Sequence, residues 1–386
     1  MSENKNGRKN RIPRGYLHED SEKRIEWINN EHDFEFQNLP PNQPEDLKGI
    51  IENHVGYMQI PMAIVGPAII EGKYAKGKFP IPICTLEGTL AASMNRGLYA
   101  SSLCGGMKVK HFRQELSRAP IFIFDDLKKS EDFQAWINEH VEKIIKAAQS
   151  TTNYGKVLRI DQHIIQNYVL LDFILDTGNA AGQNMVTLAT NVACEYIRQE
   201  TGYDFFLDSN LASDKKASSR NMILGRGHGV IAETHITKSV MARVLNVDPD
   251  FLIKNWTYFP IVSAMAGTLG NAIHASNALT AIYLATGQDT ACVAENSVGH
   301  FTIEKVDDGL TWRLTLPSLT VGTVGGGTRL NQQQQNLQLL GCDSSEYSSR
   351  KLAEIIAAAA LGLEISLGSA IMSHTWTSAH MKYGRK

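Results

Sequence analysis

Apolar residues recur along this chain with two periods, and the middle third shows both clearly. In SEDFQAWINEHVEKIIKAAQ they return every three to four residues, which predicts an amphipathic helix over 130–149. Short apolar runs in PIFIF, VLRIDQHII, YVLLDFIL and DFFLD are typical of strands, and a second helix is predicted over 182–200. The resulting order over 119–208 is βαββαβ, the ferredoxin-like arrangement. The helix residues expected to face a core are Phe133, Trp136, Ile137, Val141, Ile144 and Ile145.

The flanking segments predict further helices and strands. Helices are expected over 20–33 and 44–56, from Glu87 onward, through SAMAGTLGNAIHASNALTAIYLATG, and from about Arg350 to Met381. Strands are expected in YMQIPMAIVGPAII and GHGVIAETHI. FTIEKVDDGLTWRLTL predicts a hairpin, because an Asp-Gly pair separates two strand-like runs.

Together these elements predict an α+β protein. We expect a helical N-terminal segment, a large α/β main domain with a central long helix, and an inserted ferredoxin-like small domain. At 386 residues the chain can hold more than one hydrophobic core. The predicted boundaries are 1–50 for the N-terminal tail and helical segment, 51–118 with 218–386 for the main domain, 119–206 for the inserted domain, and 207–217 for a connecting loop.

Composition limits the classes of function. The chain has 43% hydrophobic and 20% charged residues, which is typical of a soluble globular protein. A formal net charge of −2 gives no overall basic field, so nucleic acid is not an expected partner. No run of about 20 apolar residues and no N-terminal signal pattern is present, so we expect a cytoplasmic protein without a membrane anchor. The five cysteines form no Cys-x-x-Cys pair and are expected to be reduced.

Three stretches could carry chemistry. LASDKKASS places Lys215 and Lys216 behind Asp214 in a loop of small residues, where no bulky side chain can cover the charges. TGNAAGQNM (177–185) lies between a predicted strand and helix, so its backbone N–H groups could face a phosphate. GTVGGGT (322–328) loses side-chain packing and would permit close backbone approach. An ordinary glycine turn explains the first glycine stretch at least as well. The second is more demanding, and a tight packing corner is its alternative.

Single ionisable residues are ambiguous from pattern alone. Glu87 suits the first turn of a helix, Asp289 a turn that follows a helix, and His380 the end of a helix, so none requires a catalytic role. HExxH, G-x-S-x-G and P-loop motifs are all missing, as is any Cys/His metal spacing. We therefore expect no metal site, and metal-dependent hydrolysis and phosphoryl transfer lose support.

A set of segments resembles the catalytic portion of the 3-hydroxy-3-methylglutaryl-CoA reductase family. The segments are ENHVGYMQIP, LEGTLAASMNRG, SDKKA, SAMAGT, HASNALTAIYLATGQD and PSLTVGTVGGGT. They occur in the family's order and close to its spacings, from about residue 45 to the C-terminus. The resemblance implies that NADPH reduces the acyl-CoA by four electrons to mevalonate and CoA, through a thiohemiacetal and mevaldehyde.

The same resemblance implies roles for individual residues. Lys215 would stabilise the oxyanion formed at each hydride addition, and Glu87 would be the general acid for mevaldehyde. Asp289 would join both in one hydrogen-bonded network, and His380 would protonate the departing CoA thiolate. The residues implied for substrate and CoA binding are Arg118, Asp214, Lys216, Asn277, Ser93, Asn95 and Arg96. Those implied for NADPH binding are Asn179, Ala181, Gly182, Gln183, Asn184, Gly325, Gly326 and Arg385, the last favouring NADPH over NADH.

The resemblance also implies an organisation for the whole protein. The main domain would bind the acyl-CoA substrate, the inserted domain would bind NADP(H), and 207–217 would carry the catalytic lysine. The chain would form a homodimer or a larger homo-oligomer with each active site at the subunit interface.

Several positions depart from the family pattern. Asn179 and Ala181 stand where aspartate and methionine are expected, Asp208 replaces a serine, and Ala217 replaces a proline. Tyrosine, phenylalanine and proline at 258–260 replace a lysine-asparagine pair. Two alternatives therefore stay open. One is a specialised paralogue that reduces another short acyl thioester, and the other is a catalytically silent relative that binds CoA thioesters.

Overall fold

The structure is a computed structural model that describes residues 13–15, 17–32, 47–343 and 346–373. The chain divides into two compact units, Met1–Pro61 and Met62–Lys386. The strands are β1 (Met62–Glu71), β2 (Lys76–Cys84), β3 (Met107–Arg118), β4 (Ile121–Ile123), β5 (Lys156–Ile165), β6 (Tyr168–Asp176), β7 (Phe205–Phe206), β8 (Gly227–Thr237), β9 (His300–Val306) and β10 (Gly309–Leu319). The helices are α1 (His18–His32), α2 (Leu90–Ser102), α3 (Leu127–Gln149), α4 (Gln183–Thr201), α5 (Ser219–Ile223), α6 (Lys238–Val240), α7 (Pro249–Asn255), α8 (Tyr258–Met265), α9 (Ala275–Thr286), α10 (Val293–Asn296), α11 (Asn331–Leu339) and α12 (Ser348–Met372).

The first unit contains α1, as predicted, but its described part lacks the second predicted helix. Over 47–50 the chain makes a single turn, in which the Ile50 N–H donates to the Leu47 carbonyl at 2.9 Å. Gly49 and Asn53 have φ values of 77° and 53°, and this left-handed backbone cannot continue a right-handed helix. Residues 44–46 of that prediction lie outside the described residues.

The second unit is a mixed α+β structure built on one ten-stranded sheet, which confirms the predicted α+β class. The main path runs β7-β4-β6-β3-β8-β10-β9, with β1 and β2 attached through β3, and β5 attached to β6. The pairs are antiparallel except β1 with β3. The long β3 connects the two halves of the sheet, because Lys108–Glu115 pairs with β8 and Leu116–Arg118 pairs with β6.

Two hydrophobic clusters lie against this sheet. One gathers residues of α2, α9 and α12 with β1, β2, β8 and β10. The other gathers residues of α3 and α4 with β4 and β6, and includes Phe133, Ile137 and Ile144 from the predicted inward face of α3. Elements β4, α3, β5, β6, α4 and β7 follow one another along the chain, so the element order over this stretch is βαββαβ.

The long helix α12 is the centre of the first cluster. It is long and apolar enough to cross a membrane, yet 89% of its most apolar window is buried inside the protein, as a core helix would be. Gly97 of α2 meets it so closely that an added Cβ would lie 1.8 Å from the Gly362 carbonyl oxygen. Small residues on α12 therefore bring it into backbone contact with α2.

The two carboxylates buried in α12 anchor other elements. Glu354 accepts hydrogen bonds from the Tyr74 and Ala75 N–H groups at 2.9 and 2.6 Å. Glu364 accepts from the Ile273 and His274 N–H groups at 2.6 and 2.8 Å, directly before α9 begins. Buried carboxylates of this kind satisfy backbone donors at element ends.

One predicted helix, the segment SAMAGTLGNAIHASNALTAIYLATG, is wrong as a single element. The structure has α8, then an irregular stretch over 266–274, then α9. Gly267 and Gly270 adopt φ values of 70° and 83°, which ends the first helix. The sequence pattern predicted one continuous helix because alanines, which favour helix, lie on both sides of the two glycines.

The buried Glu364 should make the free energy of unfolding depend on pH. Burial raises its pKa from 4.5 to about 7, so the folded protein holds this proton more tightly than the unfolded chain. The group's stabilising contribution is complete below about pH 4.5 and is lost as pH rises through about 7, a change of about 3 kcal/mol. We expect Glu364→Gln to remove that slope from the free energy of unfolding, measured by denaturant titration at several pH values. Parallel curves for both proteins would contradict this.

Candidate active site

The segment 207–217 is held in place by a network of buried charges. Asp214 lies between two arginines, with its Oδ2 3.4 Å from Arg118 Nη2 and its Oδ1 3.5 Å from Arg226 Nη2. The second pair is within ion-pair range but lacks hydrogen-bond alignment. The Arg226 side chain is fully buried, and only 9% of the Arg118 side chain is exposed. The small residues of this segment suggest a flexible loop. The two arginines nevertheless connect it to the end of β3 and to the residue before β8.

Asn221 fixes the same loop from the opposite direction. Its side-chain amide donates to the carbonyls of Ser213 and Lys216 at 3.0 and 2.7 Å, one on each side of Asp214 and Lys215. Helix α5 presents this asparagine, because Ser218 caps the helix by accepting from the Asn221 N–H.

Lys215 has a left-handed backbone that a buried carboxylate supports. Its φ is 55°, which is uncommon for a residue with a side chain. The Lys215 N–H donates to Glu295 Oε2 at 2.5 Å, and Glu295 Oε1 lies 3.1 Å from Arg226 Nη1. The Thr320 hydroxyl also donates to Glu295. These four groups fix the direction in which the lysine side chain leaves the loop.

Two residues singled out from the sequence meet here. Lys215 Nζ lies 2.8 Å from Asp289 Oδ2, with 44% and 43% of the two side chains exposed. The hydrogen bond that Lys215 donates to Asp289 raises the pKa of Lys215 above its ordinary value, which already lies well above neutral pH, so the side chain is an ammonium. Asp289 is itself positioned as the cap of the short helix Thr290–Cys292, where it accepts from the Ala291 N–H.

Glu87 lies in an exposed turn between β2 and α2. The predicted helix start at Glu87 is wrong by one turn, because α2 begins at Leu90 after a left-handed Thr89 with φ 76°. The Glu87 N–H donates to the Thr85 hydroxyl at 3.0 Å. Within the described part of the chain no hydrogen bond or ion pair joins Glu87 to Lys215. His380 and Arg385 lie outside the described residues.

Of the predicted substrate and CoA residues, those on α2 have structural partners. Asn95 Oδ1 accepts from the Gly66 N–H at 2.7 Å, and Arg96 donates to the hydroxyl and the carbonyl of Ser366. Ser93 lies one turn earlier on the same helix. The polar face of α2 therefore also holds β1 and α12.

Of the four other residues in this group, Arg118 and Asp214 belong to the charged network described above, and Asn277 and Lys216 remain. Asn277 lies in the first turn of α9, with its amide nitrogen 3.5 Å from His274 Nδ1. Lys216 is exposed, and its ammonium donates to the Asp214 carbonyl at 2.9 Å. The two lysine side chains therefore point in different directions: Lys215 contacts Asp289, and Lys216 contacts the backbone of its own loop.

The two glycine stretches lie side by side. Ala180 and Val324 form a parallel bridge, and the Thr323 N–H donates to the Asn179 carbonyl at 2.8 Å. A Cβ on Gly322 would lie 2.2 Å from the Ala181 nitrogen, so only glycine permits this approach. The Asn179 side chain accepts from the Ser349 N–H at 3.2 Å.

Beyond this contact the glycine backbone faces open space. Gly325 and Gly326 have φ values of 83° and 55°, and a Cβ at either would meet nothing within 4 Å. Gly182 caps the 19-residue helix α4 in a left-handed conformation, and Asn184 lies in its first turn. A helix N-terminus beside an exposed, open glycine run is suited to a diphosphate.

Gln183 connects these stretches to the lysine. Its amide lies 2.9 Å from Cys292 Sγ, at the end of the short helix that Asp289 caps. The glycine stretches and the Lys215–Asp289 pair therefore lie close together in the structure. Among the described residues no group of three or more His, Cys, Asp or Glu side chains is placed to hold a metal ion.

Comparison with known proteins identifies the family of this chain. The family model for hydroxymethylglutaryl-coenzyme A reductase matches residues 20–385. The reductase of Methanocaldococcus jannaschii is 38% identical over 351 residues, covering 88% of this chain and 85% of that protein. The reductase of Aeropyrum pernix is 39% identical over 343 residues, covering 87% and 82%.

A solved structure shares the fold. The class II 3-hydroxy-3-methylglutaryl-CoA reductase of Streptococcus pneumoniae, bound to NADPH, superposes with a TM-score of 0.68 at 19% identity and covers 83% of this chain and 87% of that one. A match of this kind supports the architecture, and the family match spans nearly the whole chain. The chain is therefore an oxidoreductase of the hydroxymethylglutaryl-coenzyme A reductase family.

Proposed function

We propose that this protein uses NADPH to reduce 3-hydroxy-3-methylglutaryl-CoA by four electrons to mevalonate and CoA, through mevaldehyde. The observation that carries the proposal is the Lys215–Asp289 pair, which the contact between Gln183 and Cys292 links to the two glycine stretches. The named reductases that match most of the chain support the same substrate.

Lys215 supplies the positive charge that the reaction needs. Addition of hydride to the thioester, and later to the aldehyde, leaves negative charge on a carbonyl oxygen. An ammonium fixed beside that oxygen stabilises the charge without having to reorganise. Asp289 aligns the lysine ammonium, and the buried Glu295 holds its backbone.

The described residues fit NADPH. When bound, NADPH supplies the hydride for each reduction. We propose that the N–H groups at Gly182, Gln183 and Asn184 bind its diphosphate while Gly325 and Gly326 admit it closely, with Asn179 and Ala181 shaping the loop. Arg385, outside the described residues, would bind the 2′-phosphate.

We also propose the division of labour given by the domain boundaries. Residues 119–206 bind NADP(H), 51–118 with 218–386 bind the acyl-CoA, and 207–217 carry the lysine between them, after an N-terminal segment over 1–50. The second hydrophobic cluster, formed within residues 116–197, supports treating the inserted stretch as a domain of its own. Arg118 would bind the terminal carboxylate of the acyl chain. Asp214, Lys216 and Asn277 would contact the rest of the acyl group, and Ser93, Asn95 and Arg96 would contact CoA.

We also propose that the protein forms a homodimer or a larger homo-oligomer in the cytoplasm. Its active sites would lie at the subunit interfaces. Helix α8 has no buried residue, and Ile261 and Met265 are 63% and 81% exposed. Contiguous exposed apolar side chains are typical of surfaces that another chain covers. Leu86, beside Glu87, is also 82% exposed. Sedimentation of the purified protein measures the assembly size.

Stoichiometry tests the proposed reaction. Purified protein with 3-hydroxy-3-methylglutaryl-CoA should consume two NADPH for each CoA thiol released, followed by NADPH absorbance and a thiol reagent. Turnover confined to a different acyl-CoA would identify the specialised paralogue, which the Asp208 carboxylate beside Arg118 favours. No turnover and no NADPH binding would leave a silent relative.

His380 allows the two reductions to be separated. Because we assign it to protonation of the CoA thiolate, His380→Gln should slow reduction of the thioester by about 10²-fold, the ordinary scale of general acid catalysis. Reduction of added mevaldehyde, which releases no thiolate, should stay within about twofold of the unmodified protein on that assignment. Equal loss of both activities would contradict the role.

A further inference from the structure

Arg118 is already paired with two carboxylates of its own chain. Its Nη1 lies 3.2 Å from Asp208 Oδ2 and its Nη2 lies 3.4 Å from Asp214 Oδ2. Only 9% of the Arg118 side chain is exposed, so few edges of the guanidinium remain for a ligand. In the proposed function this is the group that would bind the terminal carboxylate of the acyl chain.

Asp208 is held in this position by the backbone. Its Oδ1 accepts from the Asn210 N–H at 2.8 Å, while its Oδ2 faces Arg118. The next residue, Ser209, donates both its N–H and its hydroxyl to the Ala119 carbonyl, at 3.0 and 2.6 Å. The carboxylate is therefore preorganised toward the arginine and does not depend on a free side-chain rotamer.

The two aspartates differ in access. Asp214 is 20% exposed and bridges inward to Arg226, whereas Asp208 is 52% exposed. Asp208 thus lies on the side of Arg118 that a solvent-borne ligand can reach. It presents a carboxylate oxygen where a ligand carboxylate would bind the same guanidinium.

Counting the fixed charges supports the same conclusion. Arg118 contributes one positive charge and faces two negative charges, on Asp208 and Asp214, while Arg226 is shared between Asp214 and the buried Glu295. An incoming carboxylate would have to share Arg118 with two fixed anions, and like charges at short range disfavour binding.

We infer that Asp208 is a specificity-determining residue that occupies the carboxylate-binding edge of Arg118. The inference rests on the role that the proposed function gives to Arg118. Its consequence is a substrate class: acyl-CoA thioesters whose acyl end is neutral bind as well as those that end in a carboxylate.

Two thioesters and one conservative change test the inference. The ligands are 3-hydroxy-3-methylglutaryl-CoA and 3-hydroxy-3-methylbutyryl-CoA, which differ in the terminal carboxylate alone. Affinities are measured by calorimetry without NADPH, so the result does not depend on turnover. In Asp208→Asn the amide oxygen can still accept from Asn210, but the charge is gone. We expect about tenfold tighter binding of the carboxylate-bearing thioester, the scale of one charge-assisted hydrogen bond, and about twofold or less change for the neutral one.

Matched variants separate this effect from general charge removal. Asp204→Asn removes a charge from a 93% exposed aspartate four residues earlier and should leave both affinities unchanged. Asp208→Ser provides a second test if Asp208→Asn folds poorly. In steady-state assays the change should fall on KM for the carboxylate-bearing thioester, with kcat nearly constant.

Each outcome decides the inference. An unchanged ratio of the two affinities in both Asp208 variants overturns it, as does failure of the unmodified protein to bind either thioester. A shifted ratio in a protein that shows no turnover supports the inference and counts against the proposed reaction alone.

Discussion

Replacement of Lys215 by alanine is expected to reduce turnover of the acyl thioester by at least about 10³-fold. Removal of a preorganised group that stabilises an oxyanion typically costs about 10²- to 10³-fold in kcat, and here the same ammonium serves both hydride additions. Stability should change little. The lysine side chain is 44% exposed and its pair with Asp289 lies at the surface, where ion pairs contribute about 1 kcal/mol or less.

The measurements are NADPH consumption and a denaturant unfolding curve for the same preparation. Lys238→Ala is the matched control, because Lys238 is a 55% exposed lysine paired with Asp248 and lies outside the proposed site. It should retain activity and stability. If Lys215→Ala keeps substantial turnover, the charge assigned to this residue is not needed; if it fails to fold, the lysine has a packing role that the structure does not show.

Much of the site could be predicted from the sequence because its features are local. Two lysines among small residues, and two glycine stretches, one of them before a predicted helix, are visible in windows of fewer than ten residues. The ion pair between Lys215 and Asp289 required more than pattern, because 74 positions separate them, and the family resemblance supplied that link.

Buried charges were the part that sequence reasoning missed. Arg226 lies in a glycine-rich turn and Glu295 in a four-residue helix, and neither shows a period that marks it as buried. The same is true of Glu354 and Glu364, each of which interrupts an apolar run on α12. A charged residue is usually exposed, so its burial becomes evident only when its partners are known.

The second large expected effect concerns stability. Arg226→Met should lower the free energy of unfolding by about 3–5 kcal/mol, the usual cost of removing one partner from a buried ion pair. The change leaves Glu295, which is fully buried, without its cation, and removes the positive charge facing Asp214. Arg313→Met is the control, since Arg313 is 37% exposed and its pairs with Glu233 and Glu304 lie at the surface. It should cost about 1 kcal/mol or less.

The double variant Arg226→Met/Glu295→Met separates two roles of Glu295: its effect on the stability of the fold and its positioning of Lys215. Replacement of both members of a buried pair by apolar residues is often close to neutral, so the free energy of unfolding should recover by about 2 kcal/mol or more relative to Arg226→Met alone. Activity of the double variant should stay below that of the unmodified protein, because the Lys215 N–H then lacks the acceptor that supports its left-handed backbone. Recovery of both properties would mean that Glu295 compensates a charge and does not position the lysine.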